Sequence, residues 1–74
     1  MVARNARMLR AAQQRRQVEV ARTAGISRTV LSLIEGGRRR ITIEDLLALC
    51  QGLDVGLRDL LAGADPGDVR RLGL

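Results

Sequence analysis

Apolar residues return along this chain at helical spacing, and glycines cut the pattern into short segments. From Asn5 to Gln14, Ala6, Leu9 and Ala12, with Met8 beside them, fall to one side while Arg7, Arg10 and Gln14 intersperse, which predicts a first helix. Gln17 to Ala24 places Val20, Ala21 and Ala24 at i, i+1 and i+4, a second helix that should stop at Gly25. Ser27 follows after only Gly25 and Ile26, and its hydroxyl is suited to cap a third helix from Arg28 to Glu35. Gly36-Gly37 should end that helix, and Arg38-Arg39-Arg40 reads as a basic loop. Thr42 with Asp45 three positions on resembles a capping pair, and Ile43, Leu46, Leu47, Cys50 and Leu53 give the fourth helix the clearest apolar face in the chain. A short fifth helix is expected from about Gly56 to Ala62, with Leu57, Leu60 and Leu61 apolar. The glycine-bearing stretch 63–74 reads as a loose tail in which Val69 and Leu72 could dock.

The expectation is therefore an all-α fold: a compact domain of four to five helices over residues 1–62, followed by a tail over 63–74. A chain of 74 residues has room for one small core, and with no aromatic residue that core must be aliphatic. Leu31, Ile34, Val20 and Ala21 are its expected members. Cys50 is the lone cysteine and histidine is absent, so neither an internal disulfide nor a zinc site is expected. No cofactor is expected either. The apolar runs are too short for a membrane span or a signal segment, which points to a cytoplasmic protein.

Charge changes the picture more than composition does. The net charge is +5, with every basic residue an arginine. Residues 1–40 carry ten Arg against Glu19 and Glu35, 10 − 2 = +8, and residues 41–74 carry three Arg against six carboxylates, 3 − 6 = −3. A basic half of this kind suits a polyanionic partner, although an arginine-rich solvated surface would give the same count. Two short helices joined by a glycine turn, roughly residues 17–36, with arginines flanking the second, form the arrangement that lays one helix in a DNA major groove.

The residues that make up this unit resemble the phage-repressor and Cro-like, or XRE-type, helix-turn-helix family. The resemblance lies in Gln17-Val18-Glu19-Val20-Ala21, Ala24-Gly25-Ile26-Ser27, Leu31-Ser32 and Ile34-Glu35-Gly36-Gly37, and it extends through Gly52-Leu53-Asp54-Val55 and Leu57 to Leu61. It implies double-stranded DNA as partner. Arg28, Thr29 and Leu33 then occupy the outward positions that face base edges. An arginine there can contact guanine through two hydrogen bonds. Leu33 departs from the polar residue usual at its place, and either meets a thymine methyl or reads nothing. Gln17, Arg16, Ser27, Ser32 and the run Arg38, Arg39, Arg40 are the implied phosphate contacts, against the plainer reading of solvated polar side chains. Arg10 and Glu35 match a pair that joins the first helix to the end of the third. The family commonly has a glycine between the first two helices, and Gln14-Arg15-Arg16 stands there instead, leaving the second helix's start open and offering Arg15 and Arg16 to phosphate.

No nucleophile with a base, carboxylate pair, metal cage or phosphate-binding glycine loop is legible, so an enzyme is not expected. The competing reading is the same fold as a protein-interaction module, an antitoxin or adaptor, which the apolar Leu33 and Val30 would suit. A third is nucleic-acid binding without sequence preference. Within the leading reading the expectation is a repressor acting as a homodimer on a palindromic operator with half-sites about one helical turn apart. Leu57, Leu61, Val69 and Leu72 are its candidate dimer contacts.

Overall fold

The computed structural model describes residues 1–63, 66–71 and 73, except for the side chain of Val69. Its elements are α1 (Val2–Ala12), α2 (Gln17–Ala24), α3 (Arg28–Glu35), α4 (Ile43–Leu53), α5 (Leu57–Leu60) and α6 (Pro66–Arg71). Among the described residues there is no strand. The fold is all-α as the spacing predicts, but α1 starts three residues earlier than expected and α5 is shorter. Part of the stretch read as a loose tail is the helix α6.

The way the helices stop has one physical pattern. After α1, α2, α3 and α4 a single residue turns left-handed, at Gln14 (φ 56°), Gly25 (φ 74°), Gly37 (φ 68°) and Asp54 (φ 54°). In each case the next residue's N–H reaches back to a carbonyl five positions earlier: Arg15 to Arg10 at 3.2 Å, Ile26 to Ala21 at 3.1 Å, Arg38 to Leu33 at 3.0 Å and Val55 to Cys50 at 3.1 Å. These are Schellman closures, which satisfy carbonyls the helix itself leaves open. Gln14 thus does the work of the glycine that the sequence lacks between α1 and α2. That fixes the start of α2: the Arg16 N–H donates to the Glu19 carboxylate at 3.0 Å, and the helix runs from Gln17.

Starts are capped from side chains. The Ser27 Oγ accepts the Val30 N–H at 3.0 Å. Thr42 and Asp45 cap reciprocally, with the Asp45 N–H on the Thr42 Oγ1 and the Thr42 N–H on the Asp45 Oδ2, both at 3.0 Å.

The core is aliphatic: Ala6, Val20, Ala21, Leu31, Ile34, Leu49, Leu53 and Leu60 are buried together, drawing on every helix from α1 to α5. The face that α4 buries differs from the one its sequence advertises. Asp45, Leu49, Gly52 and Leu53 point inward, whereas Ile43 and Leu47 lie in solvent and Leu46 and Cys50 are half-buried. The reason is a close approach to α2. A Cβ on Gly52 would stand 2.8 Å from the Val20 carbonyl oxygen and 2.8 Å from the Ala24 Cβ, so only glycine lets the two backbones meet there. Leu61 is buried within the chain's own core and Leu57 packs half-buried against it. Leu61 is therefore corrected as a free dimer contact, whereas Leu57 keeps part of its side chain in solvent. Leu72 and the Val69 side chain lie outside the described residues.

Polar side chains lock the chain ends to this core. The Asn5 Nδ2 donates to the carbonyls of Leu60 and Ala62 at 2.7 and 2.9 Å, fastening the end of α5 to α1. The Gln13 Nε2 and Arg15 Nη1 donate to the Leu53 and Gly52 carbonyls, each at 2.7 Å, closing the C-terminal end of α4.

Gly52→Ala is expected to lower stability by about 1 kcal/mol net, overpacking of about 1–3 kcal/mol outweighing a helix-propensity gain of about 1 kcal/mol. Gln14→Gly is expected to raise stability by about 0.5–1 kcal/mol by removing a left-handed non-glycine residue. Urea denaturation of both variants checks the pair.

Candidate nucleic-acid interface

The surface in question is built on α3. Leu31, Ile34 and Glu35 turn inward, which leaves Arg28, Thr29, Ser32 and Leu33 exposed on one side of the helix at i, i+1, i+4 and i+5. Ser27 is also exposed, but its hydroxyl already caps the helix.

What holds α3 is a carboxylate at its last residue. Glu35 is only 3% exposed. Its Oε2 accepts the Arg10 Nε at 2.8 Å and its Oε1 accepts the Arg10 Nη2 at 2.9 Å, a two-pronged ion pair to α1. The Gln17 Nε2 donates to the same Oε1 at 3.0 Å, bringing in α2. The Arg7 guanidinium donates to the Glu35 backbone carbonyl. A buried anion at the negative end of a helix dipole is unfavourable alone, and the two arginines of α1 offset it. The Glu35 carboxylate in turn raises the Arg10 pKa, which keeps the guanidinium charged under all ordinary conditions. Arg10 has a second anchor, donating from Nη1 to the Arg15 carbonyl at 2.9 Å.

The arginines divide into two groups. Arg7, Arg10, Arg15 and Arg39 are engaged within the fold. Arg15, offered by its sequence position to phosphate, instead turns to the Gly52 carbonyl and to the Thr23 Oγ1 at 3.3 Å. Arg39 forms a two-pronged pair with Asp45, Nε to Oδ2 at 3.1 Å and Nη2 to Oδ1 at 3.2 Å. Among the described residues the guanidiniums of Arg16, Arg28, Arg38 and Arg40 have no hydrogen bond or ion pair, as is also true of those of Arg4 and Arg22, and all six residues are exposed. Arg28 opens α3, and Arg38 and Arg40 follow its end. The Gln17–Glu35 contact brings the N-terminus of α2, with Arg16, beside that same end. Four of these free cations, Arg28 at one end and Arg16, Arg38 and Arg40 at the other, thus flank the exposed α3 face.

Three of these roles have no signal in the sequence. Arg15, Gln13 and Asn5 bind backbone carbonyls, which no residue letter marks. Asp45 is legible as a capping residue, but its pairing with Arg39 is not.

The Cys50 thiol is pushed up by burial and by the nearby Asp59 carboxylate, so it stays protonated and is a poor nucleophile. Among the described residues no group of three or more His, Cys, Asp or Glu side chains is placed to hold a metal ion. Nor is any described helix long and apolar enough to cross a membrane.

Residues 2–64 match the family model of the helix-turn-helix domain, and the chain belongs to that family. It is an XRE-type member, as the motifs of α2 and α3 indicate, and its class is that of DNA-binding transcription regulators, which are not enzymes. Among solved structures it is similar to the restriction-modification controller protein C.AhdI from Aeromonas hydrophila, with 29% identity over 80% of this chain and 89% of that one and a TM-score of 0.75. It is also similar to the hypothetical transcription factor NHTF from Neisseria, at 30% identity over 96% of this chain and 79% of that one, again with a TM-score of 0.75. No curated protein matches the chain.

Arg10→Ala is expected to destabilise the fold by about 2–3 kcal/mol, because it leaves a buried carboxylate short of its main partner. Thermal or urea unfolding measures it. A second expectation concerns acid. The Arg39 hydrogen bond, helped by the Thr42 N–H, holds the Asp45 carboxyl below its usual range against the opposing effect of burial. A lowered carboxyl stabilises the folded state above its unfolded pKa of about 4, and the contribution disappears as pH falls through the lowered value. Asp45→Asn should therefore flatten the acid limb of the stability curve and leave its shape near neutrality unchanged, as urea midpoints across pH would record.

Proposed function

We propose that the protein is a sequence-specific transcriptional repressor that binds a palindromic operator as a homodimer, inserting α3 in the major groove. The observation that carries this reading is the exposed α3 face with uncommitted arginines at both ends, held rigidly from behind through Glu35. A face meant for an apolar or basic protein partner would not need four free guanidiniums around it.

In this reading Arg28 donates two hydrogen bonds to the major-groove edge of guanine, which discriminates by roughly 1–3 kcal/mol. Thr29 contacts the neighbouring base, and Leu33 packs against a thymine methyl. Arg16, Ser32, Arg38 and Arg40 meet the phosphates, and Ser27 approaches them as it caps α3. Gln17 keeps one amide hydrogen for phosphate, since the other is committed to Glu35. Arg39 contributes less than its neighbours because two of its three nitrogens serve Asp45. Each phosphate-bound arginine displaces condensed counterions, so affinity falls with salt. The acidic second half of the chain, at −3, turns away from the duplex.

The test is selection from a pool of random duplexes at two salt concentrations. Enrichment of a palindrome is expected. Arg28→Ala should relax one position per half-site, whereas Arg38→Ala should weaken all duplexes alike and reduce the salt slope by about 1. Absence of any enriched site, with Arg28→Ala indistinguishable from wild type, would contradict the operator reading.

A further inference from the structure

α4 carries more apolar surface than the fold buries. Its residues advance by about 100° each, so Ile43, Leu46, Leu47 and Cys50 form one continuous stripe beside the buried face of Leu49 and Leu53. Ile43 is 73% exposed and Leu47 64%, more than any other large hydrophobic side chain described. Leu46 and Cys50 are half-buried at the inner edge, and exposed Glu44 and Gln51 border the outer edge. Isolated apolar residues on a surface are ordinary, but two a turn apart that extend a half-buried pair indicate a helix with a second partner.

Resting on the operator reading above, we infer that this stripe is where two copies of the chain join. Three observations select a second copy over another occupant. The stripe lies on α4, which packs on α2, α5 and α1, so covering it leaves the exposed face of α3 free for DNA. It carries no arginine and sits in the acidic half of the chain, which excludes the duplex itself as its cover. It is also self-complementary in charge. A two-fold axis through the middle of the stripe runs the two α4 helices antiparallel, and this brings exposed Glu44, at the start of one stripe, toward exposed Arg58, beyond the end of the other. The same symmetry generates the contact twice. The interface thus differs from one centred on Leu61, whose side chain the fold has already used.

Sedimentation equilibrium of the whole chain over about a hundredfold range of concentration tests the inference. Wild type should approach twice the monomer mass. Leu47→Glu should remain a monomer, and so should Ile43→Glu as a second substitution at a solvent-exposed site, with helix content unchanged and a cooperative melting transition that no longer depends on protein concentration. Leu47→Glu mixed with Leu47→Arg should recover the dimer, because residues at the middle of the stripe meet their own counterparts. A wild-type monomer throughout, a dimeric Leu47→Glu, or a mixture that stays monomeric would each overturn it. Binding to a duplex with one half-site keeps the two readings apart. Leu47→Glu should bind that duplex as wild type does and lose the extra affinity of the palindrome. A dimeric wild type that selects no sequence would instead defeat the operator reading alone.

Discussion

The buried Glu35 carboxylate is the point on which three helices depend. It ends α3, takes both prongs of Arg10 from α1 and the amide of Gln17 from α2, and its backbone carbonyl takes Arg7. An ion pair of this kind adds little net stability, since desolvation cancels much of the attraction, but loss of one partner is costly. Geometry is what it contributes. A planar guanidinium bound at two nitrogens fixes distance and angle together. The pitch of α3 relative to the rest of the domain is set from behind, by contacts that leave its outer face free.

Much of this was legible in the chain. Helices α2 and α3 lie where Gly25, Ser27 and Gly36-Gly37 put them, because glycine and serine act through their own backbone and hydroxyl chemistry and need no distant partner. The core members Val20, Ala21, Leu31 and Ile34 follow from helical periodicity in the same way. The site was less legible because arginines are alike in sequence. Ten of them precede Ile41, and only the fold separates those that bind carbonyls or carboxylates from those left to solvent. Arg15 and Arg39 changed roles for this reason. A carbonyl acceptor can come from any residue, so nothing in the sequence announces it.

The face of α4 misled for a related reason. Its most regular apolar series, Ile43, Leu46, Leu47, Cys50 and Leu53, is not the buried one, because close packing against α2 is decided by the smallest residue, Gly52, and by the capping residue Asp45. Neither registers as hydrophobic. Asp45 is tolerated inside because Arg39 and Thr42 satisfy it. Gln14 conceals the α1 stop in the same fashion: a residue with good helix propensity adopts the left-handed conformation because the Schellman bonds and the Arg10–Arg15 contact define the turn around it.

The most direct measurement for the central claim compares wild type with Glu35→Gln on two duplexes, one enriched from a random pool and one of unrelated sequence. The substitution keeps size but removes the charge and turns one of the two acceptor oxygens into an NH2 donor, so Arg10 can no longer be held by both prongs. If Glu35 sets the pitch of α3, the variant should stay folded and bind the unrelated duplex at least as tightly as wild type, because the domain has gained positive charge, while affinity for the enriched duplex falls. Equal discrimination by the two proteins would contradict the claim, and would mean that α3 finds its place in the groove without the ion pair behind it.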